Sequence, residues 1–122
     1  MAQEQLGLCI GREVAAVDLS GSQFLAVKFT ATGVALAGNA EHPDGWLQNK
    51  PIAGQEANVC VAGITKAIAA EALAKGANVA LDAAGKLVTP ATSDAIVGKL
   101  LEASSADGDV VSLFIKYAGV SA

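Results

Sequence analysis

The chain has few residues of the kinds that do chemistry, and their spacing suits it poorly. Its single histidine, His42, stands in the run Glu41-His42-Pro43-Asp44. A general base or a metal ligand needs convergent partners. Glu41 and Asp44 are close in sequence, but short polar loops carry such residues routinely, and the run reads as a connector. One histidine supplies at most one base for a hydrolytic triad, and no Gly-x-Ser-x-Gly elbow accompanies it. Gly-rich phosphate loops are missing. Asp107 and Asp109 bracket Gly108 like a fragment of a calcium loop, but the rest of that template is absent. Cys9 and Cys60 lack a CxxC spacing, and their pairing cannot be deduced from sequence. Their plain reading is as two small buried hydrophobes. The expectation is a protein that is not an enzyme, with no catalytic residue, no cofactor and no metal.

Composition points away from several binding classes. The 122 residues make one domain, long enough for a core without staples. Apolar residues are 52% of the chain but aromatic ones only 4%. The apolar content is therefore largely Ala and Val, whereas ligand pockets are lined by large apolar and aromatic groups. The 8 Lys and Arg are scattered, against a net charge of −4. Phosphate backbones are bound by clustered cations, so the composition points away from nucleic acid and from an anionic membrane surface as partners. No stretch approaches the ~18 apolar residues of a membrane helix. Gln3-Glu4-Gln5 stands where a signal peptide would carry positive charge. These features predict a product of a reducing cytoplasm.

The elements that must position everything are short strands. Residues 1–12 read as an N-terminal arm, with a short strand at Leu8-Cys9-Ile10, ahead of a single β-rich domain over 13–122. Glu13–Leu19 reads as a strand stopped by Ser20-Gly21-Ser22. Phe24–Thr30 is rich in β-formers and turns at Thr32-Gly33 into Val34–Ala37, a hairpin. Gly38–Gly45 is a polar loop, and Trp46-Leu47-Gln48 opens the next element. Ala57–Ala62 alternates as a strand, with Gly63 as punctuation. Ile64–Ala74 is ambiguous: strand to about Ala67, then a helical turn or irregular segment before Gly76. Val79–Leu81 and Leu87–Thr89 flank Asp82–Gly85 as a hairpin. Ala95–Ala103 and Val110–Tyr117 close the series. Val111, Leu113, Ile115 and Tyr117 form one core-facing stripe of the last strand. The seed Gly-x-x-Val-x-Leu occurs at Gly76–Leu81 and again at Gly108–Leu113, and both glycines are expected at positive φ. Strands this short, with frequent turns, predict a mainly β fold: a small antiparallel barrel or sandwich with at most one short helix.

The order of these elements over residues 45–117 resembles the head decoration, or cement, proteins of tailed bacteriophages. The residues that carry the likeness are Trp46-Leu47-Gln48-Asn49-Lys50-Pro51 with Gly54 and Val59; Val61-Ala62-Gly63-Ile64; Gly76–Leu81; Gly85-Lys86; Val97-Gly98; and Ala106–Val110. Residues 1–44 match less well. The resemblance implies a structural virion protein, made in the host cytoplasm, that binds the outer surface of an expanded capsid. It implies bridging of major-capsid subunits against the pressure of packaged DNA, often as a homotrimer, with no nucleic-acid, membrane or small-molecule partner. The candidate capsid or oligomer contacts are Leu6, Leu8 and Ile10 of the arm, and Trp46. Trp46 is of the residue type that anchors interfaces, and it equally suits the plug of a barrel end. The alternative functions are a small soluble β-barrel binding module and a phage tail or baseplate component.

Overall fold

The computed structural model describes residues 5–11, 13–38, 41–92 and 94–116. Among these residues there are nine strands: β1 (Gln5–Ile10), β2 (Ala26–Thr30), β3 (Gly33–Leu36), β4 (Gly45–Leu47), β5 (Val59–Ile68), β6 (Asn78–Leu81), β7 (Leu87–Val88), β8 (Gly98–Leu100) and β9 (Val110–Ile115). Every ladder is antiparallel. The path runs β3-β2-β4-β5-β9-β8-β6-β7, with β1 joined to β5. The sheet curls into a half-barrel, so the mainly β expectation holds. Its two ends meet where the Ala26 N–H of β2 donates to the Gly85 carbonyl, in the turn between β6 and β7 (3.1 Å). That turn is built by Asp82, whose Oδ1 accepts from the N–H groups of Ala84 (2.8 Å) and Lys86 (3.0 Å).

Strand β5 is the hub. Val59 and Cys60 pair with β4 and also with Ile10 and Cys9 of β1. Further along, Ile64 pairs with Phe114 of β9 and with Gln5 of β1. A residue has one neighbour on each side, so β1 runs along one side of β5 while β4 and β9 follow each other along the other. Gly63 lies at the crossing, at φ +99°. The β1–β5 register shifts here, between Leu6 and Leu8 and between Leu8 and Cys9. Beyond Gly63 the inward positions change parity: Cys60 faces the larger core cluster before it, and Ala67 and Ala69 after it. Gly63 is thus a bulge inside a long strand, where a break is the sequence expectation. A bulge bends the strand and raises its twist, which lets one strand serve two neighbours in turn.

The core is divided by the sheet. The larger cluster lines the inside of the curl and includes Trp46, Cys60, Val79, Leu81, Leu87, Val97, Leu100, Val111 and Leu113. The smaller packs on the opposite face of β2–β4 and the start of β5: Val27, Val34, Leu47 and Val59, covered by Ala15, Leu19 and Ala57. The covering loops explain the first departure from sequence. Glu13–Leu19 is a strap rather than a strand, making only isolated bridges, Val14 to Glu56 and Ala15 to Val34. Its N–H groups go to different partners: Ala15 to Gln55, Ala16 to Val34 and Leu19 to Pro51. Burial of Ala15 and Leu19, not a ladder, holds it down.

No helix occurs among the described residues, within the expectation of at most one short helix, and the segment before Gly76 takes the irregular form. The donors before Gly76 are taken by neighbouring strands: Ala69 N–H to Asp109, Ala70 N–H to Leu87 and Leu73 N–H to Ser104. Helix propensity is a weak prior that such tertiary partners override. Ala95–Ala103 contracts to Gly98–Leu100, because the Val97 and Leu100 N–H groups donate to Val79 and Ala77 while the Leu101 N–H donates to Ser112 on the other flank. Phe24, read as strand, sits at φ 68° ahead of β2. Gly76 and Gly108 do have positive φ (85° and 92°). In β9, Val111, Leu113 and Ile115 are buried; Tyr117 lies outside the described residues.

Close strand approach makes one glycine indispensable. A Cβ on Gly98 of β8 would fall 2.6 Å from the Phe114 carbonyl oxygen and 2.7 Å from Leu113 Cδ1. The overpacking range predicts that Gly98→Ala lowers stability by about 1–3 kcal/mol. Gly21→Ala, with nothing within 4 Å, should leave it nearly unchanged. Urea denaturation of both variants checks this, and equal midpoints would refute the crowding argument.

Candidate docking surface

The polar residues singled out in the sequence are used up by turns. Asp109 accepts from the N–H (2.7 Å) and the Oγ (2.9 Å) of Ser105 and from the Ala106 N–H (3.2 Å). Asp107 pairs with Lys86 at 3.1 Å. Glu41 accepts from the Gly38 N–H and from Lys28 Nζ (3.2 Å), and Asp44 accepts from the Phe29 N–H at 2.8 Å. Glu41 and Asp44 therefore turn to different backbone donors on either side of exposed His42. Among the described residues no three His, Cys, Asp or Glu side chains gather as a metal site.

Several large apolar side chains are also exposed at the surface. Val14, Val17 and Ile52 are exposed on the loops that cover the smaller cluster. A second group lies on strands: Leu8 on β1 (55% exposed), with Val110 (43%) and Phe114 (41%) on β9. Leu8 is opposite Ala62, Val110 opposite Ile68, and Phe114 opposite both Ile64 and Lys99. Directly opposed residues share a face. Since Val111, Leu113 and Ile115 point inward, Val110 and Phe114 point out. The outer face of β5 and β9 thus presents Ile64, Ile68, Val110 and Phe114, with Lys66 and Lys99 among them. Lys66 Nζ lies 5.6 Å from the Phe24 ring centroid, a cation–π distance. Phe24 is further held by its N–H donating to the Leu47 carbonyl (2.7 Å). The group stands on paired strands, which place side chains more rigidly than loops do. Among the described residues β1 pairs with β5 alone.

No family model matches the sequence, and no curated protein matches it. A solved structure does. The crystal structure of the head fiber gp8.5 N base of bacteriophage phi29 matches with a TM-score of 0.77 at 15% identity, over 94% of this chain and 100% of that one. The chain shares the fold of the phi29 head fiber base.

Within that fold the sequence candidates separate. Leu8 is on the exposed strand group, and Ile10, opposite Val59, is half-buried. Leu6 is paired with Gly63; its side chain lies outside what the structure describes. Trp46 is fully buried in the larger cluster, so in the isolated chain it offers no surface to a partner. Its Nε1 is buried with no hydrogen-bond partner. Sequence reading passed over Phe114 and Val110 as contacts, since period-2 alternation in the last strand marks them only as outward. What distinguishes them is the apolar company of Ile64 and Ile68, which requires the β5–β9 register.

Two predictions follow from these environments. An unpaired buried donor costs about 1–3 kcal/mol, so Trp46→Phe removes a liability along with part of the ring. It should cost well under half of the ~3–5 kcal/mol expected for Trp46→Ala, as measured by denaturant melts; equal losses would show that the orphan N–H carries no penalty. Hydrogen bonds from the Ser105 backbone and hydroxyl, then from the Ala106 backbone, hold the Asp109 carboxyl below its usual range. A depressed folded value means a contribution that is complete above the unfolded value and lost as pH falls through the folded one. Asp109→Asn should therefore flatten the decline in stability as pH falls through and below the ordinary carboxylate range. Parallel stability–pH curves for the variant and the parent would count against this.

Proposed function

We propose that this chain is a structural protein of a tailed-phage head, seated on the outside of the capsid through the apolar strand group of β1, β5 and β9. The observation that carries the reading is the fold shared with the phi29 head fiber base across 94% of the chain. The decoration-protein order of elements over residues 45–117 supports the same class. In this reading the chain does no catalysis. It binds the major capsid protein and itself, as a homotrimer, and bridges neighbouring capsid subunits without engaging nucleic acid, membrane or a small molecule.

The physics is that of linked weak contacts. Burying one large apolar side chain is worth about 1.5–3 kcal/mol, which is too little alone for lasting attachment. Linking copies makes each later contact intramolecular and multiplies the avidity. A capsid repeats its surface by symmetry and offers the matching array. Lys66 and Lys99 beside Ile64 and Phe114 give the face a positive rim within an acidic chain, which favours an acidic patch on the partner.

The test uses heads assembled without the protein. Purified protein should sediment with them, saturate at a fixed copy number and raise their resistance to heat. Leu8→Asp and Phe114→Asp replace exposed side chains and should leave the melting curve of the free protein intact. Combined, they should weaken head binding by about tenfold or more, or ~1.4 kcal/mol. Wild-type protein that fails to sediment with heads would sink the function. Undiminished binding by the folded double variant would sink the choice of surface.

A further inference from the structure

The β1–β5 register sets Cys9 directly opposite Cys60. Sequence separates these residues by 51 positions, and the ladder makes them cross-strand neighbours. Directly opposed antiparallel residues have Cα atoms about 4.5–5.5 Å apart, inside the range of about 4.4–6.8 Å that a disulfide spans. Opposed residues also send their side chains to the same face. The packing agrees: Cys60 belongs to the larger core cluster, and Cys9 is packed against that cluster while half-buried. Both thiols are reduced in this structure. Cys60 Sγ donates to the Ala62 carbonyl at 3.1 Å, a contact that bond formation would give up.

We propose that Cys9 and Cys60 form an intrachain cross-strand disulfide when the protein meets a small-molecule disulfide oxidant, and that the bond pins β1 to β5. The half-buried Cys9 is the entry point, because Cys60 is fully covered. The Cys9 thiolate attacks one sulfur of the oxidant, forming a mixed disulfide and releasing one thiolate. The Cys60 thiolate then attacks the Cys9 sulfur and expels the second. Two protein thiols are oxidised and one oxidant disulfide is reduced to two thiols, which carry away both protons. Among the described residues β1 pairs with β5 alone, and the bond would convert that reversible pairing into a covalent one closing a loop of about 50 residues. The inference needs no capsid. If the proposed function is right, the oxidant is met when particles leave the reducing cytoplasm.

The experiment incubates the reduced, purified chain with glutathione disulfide at neutral pH without denaturant. The expected product is a monomer lighter by two hydrogens, with no titratable thiol, and a non-reduced peptide map joining the Cys9 and Cys60 peptides. Amide exchange over residues 8–10 should slow and recover on adding reductant. Cys60→Ala should stop at a stable glutathione adduct on Cys9, and Cys9→Ser should resist modification while folded. Stable glutathione adducts on the parent chain, intermolecular dimers, or thiols that survive the incubation would each overturn the proposal. So would a closed bond that leaves exchange over residues 8–10 unchanged.

Discussion

Most of this fold depends on one strand meeting three others. β5 carries β1 along one side and, on the other, β4 followed by β9. Only a strand of this length with a bulge at its centre can do so. At Gly63, φ +99° shifts the register and reverses which residues face inward, so that Cys60 and Ala67 both reach the same cluster. A regular ten-residue strand would send one of the two outward. The closing contact between Ala26 and Gly85 depends on that bend, because it brings the two ends of the sheet's path together.

More than half of the buried apolar residues are Ala or Val, and this constrains the rest. Ala and Val cannot reach far, so the layers must approach closely. Gly45 is placed where a Cβ would collide with the Cys60 carbonyl and Val59, and Gly98 does the same for β8 against β9. The single tryptophan fills the middle of the larger cluster even though its N–H finds no partner. Loops serve the same economy of volume: residues 13–19 and 51–57 close over Val27, Leu47 and Val59, where a second sheet would do so in a sandwich. With the inner faces filled in this way, the large apolar groups left outside on β1 and β9 are available for association.

The acidic side chains mostly organise turns. Asp82, Asp109, Glu41 and Asp44 each accept backbone N–H groups of their own loops or of an adjoining strand. Hydrogen bonds from their own loops hold the carboxyls of Glu41 and Asp109 below the usual range, so negative charge there orders connections. The surface ion pairs Lys28–Glu41 and Lys86–Asp107 are exposed and contribute little by comparison.

The sequence by itself determined the β class, the hairpins β2–β3 and β6–β7, the inward stripe of β9 and the positive φ of Gly76 and Gly108. Each follows from local rules, namely period-2 alternation, turn chemistry and the freedom of glycine. Tertiary structure decided everything that required two distant segments to be set side by side. It made Glu13–Leu19 a strap, because its buried Ala15 and Leu19 had a cluster to cover. It carried β5 through Gly63, because three partners held the bulge in place. It drew the donors ahead of Gly76 away from a helix, toward Asp109, Leu87 and Ser104. It set Cys9 opposite Cys60 and Phe114 beside Ile64. Register is a property of pairs, and one chain read residue by residue contains no statement of which pairs will form.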